Sequence, residues 1–285
     1  MMTRLTNDMV KDIIDSLDRA DDMLTSVTGM NLLELSYDAV GINEKEISLK
    51  DLKVGVVPIT SGLGIITQFS ESVAEIIKRL GMDAFVTNTY DVTGFAEAVS
   101  RGAEIVFMAD DVEFVAYNVK AGKYFNNSYS TAAGYVAALK GAAGGLEDKE
   151  VLVIGIGRVG SFAVEIMTKM GAKISVFDID EKKVKDIQKR FDVMSFSDVN
   201  KAVSSHSLIL NASPAPIDGR SIKRLTTISS PGLPFGFDEE GIRKARIIHD
   251  PLNIGVAVMA MGSAGFSRST ARSDNDRGTE SLGMR

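Results

Sequence analysis

Two hydrophobic patterns alternate along most of this 285-residue chain. Short runs rich in β-branched residues, such as VGVVPI at 54–59, are followed by segments such as 70–80, in which apolar residues recur at helical spacing. Short apolar runs bounded by turns are typical of buried strands. Their alternation with helices is typical of a parallel sheet that is covered on both faces. The pattern therefore predicts an α/β protein.

Residues 51–128 form the first predicted α/β domain, with a small parallel sheet. Its predicted elements are strands at VGVVPI, DAFVTN and EIVFMA and helices over 70–80, near 95–101 and from about Glu113. Ahead of this domain, apolar residues recur at helical spacing between Asn7 and Leu33. This spacing predicts that residues 1–50 form an N-terminal helical cap and not a domain of their own.

Residues 149–264 form the second predicted α/β domain. Its predicted elements are strands at VLVI, KISVFDID, VMSF, SLILNAS, TTISS and RIIHD and helices over 161–170, 181–191 and near 198–203. A helix rich in alanine within residues 129–148 is expected to connect the two domains. The Met-rich segment 259–261 is expected to be core. Residues 265–285 carry hardly any large apolar side chain, which predicts a disordered tail or a remnant of cloning.

Composition and charge exclude several classes of protein. No apolar run approaches the roughly 18 residues of a membrane span, and the charged N-terminus lacks the apolar stretch of a secretory signal. We therefore expect a cytoplasmic protein, and the absence of cysteine, which removes disulfides, agrees with a reducing compartment. His206 and His249 have no second ligand at suitable spacing, so no metal is expected. A net charge of −6 argues against a nucleic-acid partner, and the oligomeric state stays open.

A glycine-rich turn follows the strand VLVI and opens the next helix. It places Gly155, Gly157 and Gly160 at the spacing of the dinucleotide-binding fingerprint. The first glycine permits the tight turn, the second lets a pyrophosphate approach the backbone, and the third allows close packing of helix on strand. Arg158 and Val159 stand at the start of the helix, where free N–H groups favour phosphate. The second domain is therefore predicted to be a Rossmann domain.

Asp178 ends the next strand about twenty residues later, where a carboxylate accepts hydrogen bonds from the adenosine ribose and repels a 2′-phosphate. This position predicts NAD as the cofactor. Asp180 remains an alternative for the ribose contact, because strand alternation does not decide between the two. Ala212, Ser213 and Pro231 follow later strands, where loops either face the cofactor or are simply connections.

The strand ends of the first domain carry a second set of candidates, which we expect to bind the substrate. The loop Thr60–Gly64 has small and hydroxyl-bearing residues suited to hold a carboxylate or carbonyl oxygen. Asp110 and Asp111 end the strand EIVFMA, and either could instead cap the helix expected to follow. Asn126–Asn127 could likewise cap the connecting helix, and Phe69 could be plain core.

Several motifs together resemble one family. VVPITSGLGIITQFSESV, DVTGFAEAV, FMADD, the GIGRVG turn and DPLNIGVAVM occur in the order and with the separations of the PylD family of pyrrolysine biosynthesis proteins. The resemblance extends to about Gly262 and includes RLT at the start and SVTG at the end of the N-terminal helix. Many families share the glycine turn, whereas VPITSG and MADD in one chain are specific.

The resemblance implies an NAD-dependent oxidation of L-lysine that carries 3-methyl-D-ornithine on its ε-nitrogen. The terminal amine carbon of the ornithine part gives a hydride to NAD, the imine hydrolyses with release of ammonia, and ring closure yields pyrrolysine. In the family the substrate lies between the two α/β domains, under the N-terminal helix. Carried over by motif, the residues expected to line its pocket are Leu5, Ser61, Ile66, Phe69, Asp110 and Asn127.

Physical chemistry gives these residues roles. An ammonium group cannot donate hydride, because its nitrogen lone pair must stabilise the developing iminium, so its proton must be accepted. With no suitable histidine, Asp110 is the expected catalytic residue, which binds the amine and accepts the proton directly or through water. The apolar pocket residues would exclude water, while Ser61 and Asn127 would supply neutral polar contacts.

Two rival functions stand beside this one. Another amino-acid or imine dehydrogenase, of the dipicolinate synthase A type, would be expected to use a cluster of substrate-binding arginines in the first domain. Only Arg79 and Arg101 occur between Val54 and Asn127, both on predicted helices. A non-catalytic, NAD-responsive regulator would be expected to carry a recognition helix or a basic face, which the acidic balance of the chain does not offer.

Overall fold

The structure, a computed structural model, describes residues 5–279. These residues divide into two units, each built on one β-sheet. The first unit comprises residues 5–16, Ser36–Asn127 and the chain from Val256 on, and the second comprises Leu17–Leu35 and Ser128–Gly255. Strands alternate with helices in both, which confirms the predicted α/β class.

Three helices precede the first strand: α1 (Asn7–Val10), α2 (Ile13–Thr28) and α3 (Leu32–Val40). The apolar side chains of Val10, Ile13 and Leu24 are buried, as their helical spacing predicts. Asn31 and Glu34 form a capping box at the start of α3: each side chain accepts the backbone N–H of the other, both at 2.9 Å. The predicted N-terminal helical segment is thus divided into separate helices.

The first unit is built on a five-stranded sheet. Its elements are β1 (Lys53–Val57), α4 (Phe69–Arg79), β2 (Asp83–Val86), α5 (Asp91–Ser100), β3 (Ile105–Ala109), β4 (Phe114–Asn118) and β5 (Lys123–Asn126). The strand order is β2-β1-β3-β4-β5. β1 pairs in parallel with β2 and β3, whereas β4 is antiparallel to both β3 and β5. The carboxyl ends of β1, β2 and β3 therefore lie at one edge of the sheet.

The structure corrects the prediction for the segment that follows Asp111. The helix expected from about Glu113 is wrong: β4 and β5 form an antiparallel hairpin there, and the sheet predicted to be parallel is mixed. Phe114, Ala116 and Asn118 are buried while the residues between them are half-buried, which is the two-residue period of a strand. Pairing with β3 and the bulky side chains of this segment favour the extended form.

The second unit is built on a six-stranded parallel sheet. Its elements are α6 (Asn127–Ala143), β6 (Glu150–Ile154), α7 (Arg158–Lys169), β7 (Lys173–Phe177), α8 (Glu181–Gln188), β8 (Met194–Ser195), α9 (Val199–Ser205), β9 (Leu208–Asn211), β10 (Thr226–Ser229), α10 (Glu239–Lys244), β11 (Ala245–Ile248) and the start of α11 (Asn253–Thr279). The strand order is β11-β10-β9-β6-β7-β8. The order reverses beside β6, which makes this a doubly wound Rossmann sheet with its switch point at β6 and β9.

Short 3-10 helices complete the described elements; they span Glu44–Glu46, Leu49–Asp51 and Gly219–Ser221. One core cluster of the second unit packs β6, β9 and β10 against α9 through Leu152, Ile209, Ile228 and Val203. No helix within residues 5–279 combines the length and the apolar character that crossing a membrane requires.

The last helix, α11, belongs to both units. The Asp250 carboxylate accepts the N–H groups of Leu252, at 2.9 Å, and of Asn253, which satisfies free donors at the helix start. Further on, the Ser263 hydroxyl donates to the carbonyl of Ala116 at 2.8 Å. The first unit therefore includes the helix from Val256, whereas the sequence placed the domain boundary at residue 264.

The Met-rich part of α11 is core, as predicted, since Met259 and Met261 are fully buried. The structure carries the helix on to Thr279, where the sequence predicted a disordered tail from residue 265; residues 280–285 lie outside the described part of the chain. Once a helix is nucleated by a buried segment, each added residue gains one backbone hydrogen bond, and no proline interrupts this stretch.

Candidate active site

The glycine-rich turn lies between β6 and α7, at the switch point of the Rossmann sheet. Gly155 has a φ of +87°, and a Cβ on Gly160 would lie 1.9 Å from the Gly155 carbonyl oxygen. A Cβ on Gly155 would lie 3.0 Å from the backbone of Ala212. In contrast, a Cβ on Gly157 would meet no atom within 4 Å. The first and third glycines thus close the turn, and the second leaves open space in front of α7.

The N-terminus of α7 faces this open space without a side-chain cap. Gly157 is its N-cap residue and makes no side-chain cap hydrogen bond. The first N–H groups of a helix have no partner within the helix and carry its partial positive charge. Arg158 is exposed and Val159 is half-buried in this first turn. The arrangement is suited to bind a pyrophosphate.

Asp178 directly follows β7, and its carboxylate is directed at the glycine turn. Its side chain is 7% exposed, with Oδ2 accepting the Ile156 N–H at 2.6 Å and Oδ1 accepting the Asp180 N–H at 2.9 Å. A carboxylate has about four lone-pair sites, so it retains capacity for ribose hydroxyls. Asp180 instead caps α8 by accepting the Lys182 N–H at 2.9 Å. This geometry favours Asp178 over Asp180 for the ribose contact.

The loops after β9 and β10 are joined through Asn211, which is 1% exposed. Its side-chain oxygen accepts the Ser213 N–H at 3.2 Å, its side-chain nitrogen donates to the Ser230 hydroxyl at 3.3 Å, and its carbonyl accepts the Gly232 N–H at 2.9 Å. The sequence-predicted residues on these two loops are Ala212, Ser213 and Pro231. The sequence did not identify Asn211 as their link; a polar residue that ends the apolar run LIL was the available signal.

Both histidines have structural contacts in the second unit. His206 is buried with Nδ1 2.8 Å from the Ala202 carbonyl, and His249 has Nδ1 2.8 Å from the Ser230 carbonyl. The ring of His249 also packs edge-on against Phe235, with 4.9 Å between centroids. Among residues 5–279, no three side chains of the types that bind metal form a group able to hold an ion.

Asp110, the expected catalytic residue, closes the turn between β3 and β4. Its Oδ1 accepts the N–H groups of Val112 and Glu113, both at 2.8 Å, and its own N–H donates to the Glu113 carbonyl at 2.9 Å. No helix follows, so the alternative of a helix cap is wrong for Asp110 and for Asp111. Within residues 5–279, Oδ2 of Asp110 makes no hydrogen bond, and the side chain is exposed.

Two loops of the first unit meet at the carboxyl edge of its sheet. Oδ2 of Asp111 accepts the Leu63 N–H at 2.7 Å. The loop after β1, with the exposed Ser61, is thereby bonded to the turn that carries Asp110. The structure thus brings the loops of these two predicted site residues together.

The apolar candidates lie at or near the start of two helices. Phe69 begins α4 and packs edge-on against Phe114, with 5.4 Å between ring centroids, and Ile66 is half-buried three residues before it. This contact is the one expected if Phe69 is a core residue, the alternative to a role in the substrate pocket. Half-buried Leu5 precedes α1, whose first residue, Asn7, accepts the Thr67 N–H at 3.1 Å through its side chain. This bond links the N-terminal segment to the loop that carries Ile66.

Asn127 reaches the same sheet edge through the β4–β5 hairpin. In the register of the sheet, Met108 pairs with Val115 and Val115 pairs with Asn126. Because β5 runs in the direction of β3, the chain leaves β5 at the edge where Asp110 leaves β3. The half-buried Asn127 comes directly after that strand, as the first residue of α6.

The two sheets and the glycine turn define a class of fold: the chain is a Rossmann-type α/β protein with the fingerprint of a dinucleotide-binding site. The model of the pyrrolysine biosynthesis protein PylD, N-terminal domain, matches residues 9–125, and that of the alanine dehydrogenase/PNT C-terminal domain matches residues 119–214. Quinate dehydrogenase from Corynebacterium glutamicum, solved in complex with NAD, shares the fold with a TM-score of 0.53 at 12% identity, over 78% of this chain and 99% of that one.

Curated relatives narrow the class to one family. Pyrrolysine synthase from Methanosarcina barkeri is 35% identical over 263 residues, which cover 90% of this chain and 97% of the relative. Pyrrolysine synthase from Methanosarcina acetivorans is 34% identical over 262 residues, which cover 90% of this chain and 98% of the relative. The chain belongs to the pyrrolysine synthase family, and the resemblance found in its motifs is confirmed.

Proposed function

We propose that the protein catalyses the NAD-dependent oxidation of the terminal amine of L-lysine-Nε-3-methyl-D-ornithine, with release of ammonia and ring closure to pyrrolysine. The observation that carries the proposal is the similarity to two pyrrolysine synthases over 90% of the chain. The substrate is a small molecule with amine, amide and carboxylate groups, for which the strand-end loops of the first unit offer polar partners.

The residues around the glycine turn fit a nicotinamide dinucleotide. The open position beside Gly157 and the uncapped start of α7 suit a pyrophosphate. The carboxylate of Asp178 suits two ribose hydroxyls and opposes a 2′-phosphate, so we propose NAD and not NADP. When bound, NAD supplies the hydride acceptor. Arg158, Val159, Ala212, Ser213 and Pro231 are the further residues that we propose to contact it.

Asp110 is the residue that we propose to handle the amine. Two backbone N–H groups hold its Oδ1, which fixes the direction of the carboxylate and leaves Oδ2 for the substrate. There Oδ2 would bind the terminal ammonium and accept its proton, directly or through water, so that the nitrogen lone pair becomes available. A carboxylate anchored in this way approaches the amine at a constant angle.

The other pocket residues would bind and shield the substrate. Ser61 and Asn127 emerge at the same sheet edge as Asp110 and would give neutral hydrogen bonds to its amide or its lysine end. The proposed apolar wall consists of Leu5, Ile66 and Phe69. All three are half-buried, so a substrate that covers them would remove apolar surface from water.

Substitution of Asp110 by asparagine tests its role. Asp110→Asn keeps an oxygen that can accept the Val112 and Glu113 N–H groups, so the turn should persist, but the amide cannot accept the amine proton. We expect turnover to fall at least tenfold, which is about 1.4 kcal/mol of barrier, with NAD affinity retained. Asp83→Asn is the matched control, because Asp83 is an exposed aspartate at the amino end of β2, away from the strand ends that carry the proposed site. A wild-type rate in Asp110→Asn would remove this residue from the mechanism.

The function itself is tested with purified protein, NAD and L-lysine-Nε-3-methyl-D-ornithine. NADH absorbance, a coupled ammonia assay and mass spectrometry of the product should give stoichiometric NADH, ammonia and pyrrolysine. Binding of NAD without turnover of this substrate would contradict the proposal. It would favour a dehydrogenase for another amino acid or imine, or an NAD-responsive regulator.

A further inference from the structure

Asp91 has a backbone conformation that residues other than glycine rarely adopt. It is the first residue of α5 and has a φ of +53°, in the left-handed region. A non-glycine residue stays there only when its surroundings fix it, and such positions concentrate at functional sites. Aspartate is among the residues that tolerate this region, because its short polar side chain makes local hydrogen bonds. The partners of Asp91 therefore matter.

Three hydrogen bonds join Asp91 to the segment that leaves β1. Its N–H donates to the Pro58 carbonyl at 3.1 Å. Its Oδ1 accepts the Thr60 N–H at 2.7 Å, and its Oδ2 accepts the Thr60 hydroxyl at 2.5 Å. These bonds lower the pKa of Asp91, the Thr60 hydroxyl contributing most, so the carboxylate is ionised at neutral pH. Asp91 thus anchors Thr60, the residue directly before Ser61, through hydrogen bonds.

A second carboxylate, that of Asp111, binds the loop on the C-terminal side of Ser61. Oδ2 of Asp111 accepts the Leu63 N–H at 2.7 Å. Gly62 has a φ of +71°, and a Cβ on it would lie 2.1 Å from that carboxylate oxygen. The loop backbone therefore lies closer to Asp111 than a residue with a Cβ would allow. Ser61 therefore stands between two anchors that come from the loops after β2 and β3.

Burial does not supply the order of this loop. Ser61 is exposed, and the side chain of Leu63 is 76% exposed. On the neighbouring loops, Val92 and Val112 are 83% and 66% exposed. Segments with few buried apolar contacts open readily unless hydrogen bonds restrain them. The hydrogen bonds to the two carboxylates therefore restrain the loop.

We propose that Asp91 is a positioning residue, which holds the loop Thr60–Gly64 so that Ser61 meets the substrate in a fixed geometry. Asp111 is the second anchor of the same loop. Asp91 acts through Thr60 and does not itself contact the substrate. The inference rests on the proposed function for the identity of the substrate, whereas the anchoring of the loop does not.

Steady-state kinetics with NAD and L-lysine-Nε-3-methyl-D-ornithine test the inference. Asp91→Ala should lower kcat/KM at least tenfold, mainly through KM, with the Kd of NAD within twofold of wild type. Asp91→Asn keeps an acceptor for the Thr60 N–H and should recover to within about threefold of wild type. Thr60→Val removes only the hydroxyl, and Asp91→Ala should cost less in that background than in the wild type. Asp83→Ala, an exposed aspartate at the far end of β2, should change nothing.

Hydrogen exchange supplies a readout that does not depend on activity. In Asp91→Ala the amides of Thr60 and Leu63 should exchange at least tenfold faster, while that of Val56 inside β1 is unchanged. Unchanged exchange in the loop, or a KM equal to that of Asp83→Ala, overturns the proposal. Should Asp91→Ala not fold, wild-type exchange and wild-type KM in Thr60→Val overturn it instead. If the wild type itself fails to turn over this substrate, the proposed function falls, and the exchange rates decide the anchoring separately.

Discussion

Two alanine substitutions in the glycine turn should separate folding from cofactor binding. Gly160→Ala places its Cβ 1.9 Å from the carbonyl oxygen of Gly155, so the main chain of the turn must shift. Gly157→Ala places its Cβ in space where no atom lies within 4 Å. Its φ of −80° and ψ of −162° are extended values that alanine adopts. The first variant should therefore lose stability, and the second should lose NAD binding.

The magnitudes follow from these contacts. Overpacking costs about 1 to 3 kcal/mol, and the contact of Gly160→Ala is with backbone, so the upper part of that range applies. Alanine regains up to about 1 kcal/mol of helix propensity. The net loss of about 1 to 2 kcal/mol lowers Tm by roughly 2 to 8 °C. For Gly157→Ala the loss at the N-cap is about 1 kcal/mol or less. Displacing one phosphate from a helix N–H costs about 1.5 to 3 kcal/mol, or roughly 10- to 150-fold in Kd.

Thermal unfolding followed by circular dichroism and titration of NADH fluorescence measure the two effects in the same samples. Each variant is the control for the other, because both add one methyl group within four residues of the same turn. Wild-type affinity for NADH in Gly157→Ala would refute the assignment of this open space to the pyrophosphate. A wild-type Tm in Gly160→Ala would refute the steric account of the third glycine.

Three further predictions concern single side chains. Asp178→Ala should weaken NAD binding at least tenfold and relax the selection against NADP, because the carboxylate that binds ribose and repels a 2′-phosphate is gone; isothermal titration with unchanged NAD affinity would place the ribose contact elsewhere. Glu97→Gln should destabilise the fold at pH 7 but progressively less on acidification, because hydrogen bonds, led by that from the Asn88 N–H, lower the pKa of Glu97 to about 2. The stabilisation is complete above the unfolded pKa of about 4.3 and is lost as pH falls through about 2, so a constant difference in urea unfolding from pH 7 to pH 2 would contradict it. Tyr135→Phe should cost about 1 to 3 kcal/mol in urea unfolding, because the buried phenol accepts the Asp250 N–H at 2.8 Å and donates to the Asp250 carbonyl; an unchanged midpoint would show that these groups find other partners.

Regular elements with a clear period were predictable to within a few residues. The helix expected over 70–80 is α4, and the strand expected at TTISS is β10. The segment from Glu113 was mispredicted because five alternating residues are too few to separate a strand from a helical turn. Its conformation is decided by pairing with β3, a partner that local sequence does not reveal.

The local geometry of the proposed cofactor site was more predictable than that of the proposed substrate site. The glycine turn and Asp178 act through local backbone geometry, and the spacing of their residues along the chain already indicates it. The bonds from Thr60 to Asp91 and from Leu63 to Asp111 join residues 31 and 48 positions apart. The order of the strands brings those loops together, and the local pattern of a single sequence does not reveal that order. The left-handed backbone of Asp91 is equally invisible to a pattern of apolar residues.

In the β4–β5 hairpin, the turn tolerates a change of length, whereas the strand β5 does not. Its turn, at residues 119–122, lies at the amino edge of the first sheet, away from the loops of Ser61 and Asp110. Insertions in this turn would leave both ends of the hairpin in place. An extra residue inside β5 would shift the register by one and turn the side chain of Asn126 to the other face of the sheet. A change of length in the turn would therefore not move Asn126 and Asn127, because the register of β4 and β5 stays the same.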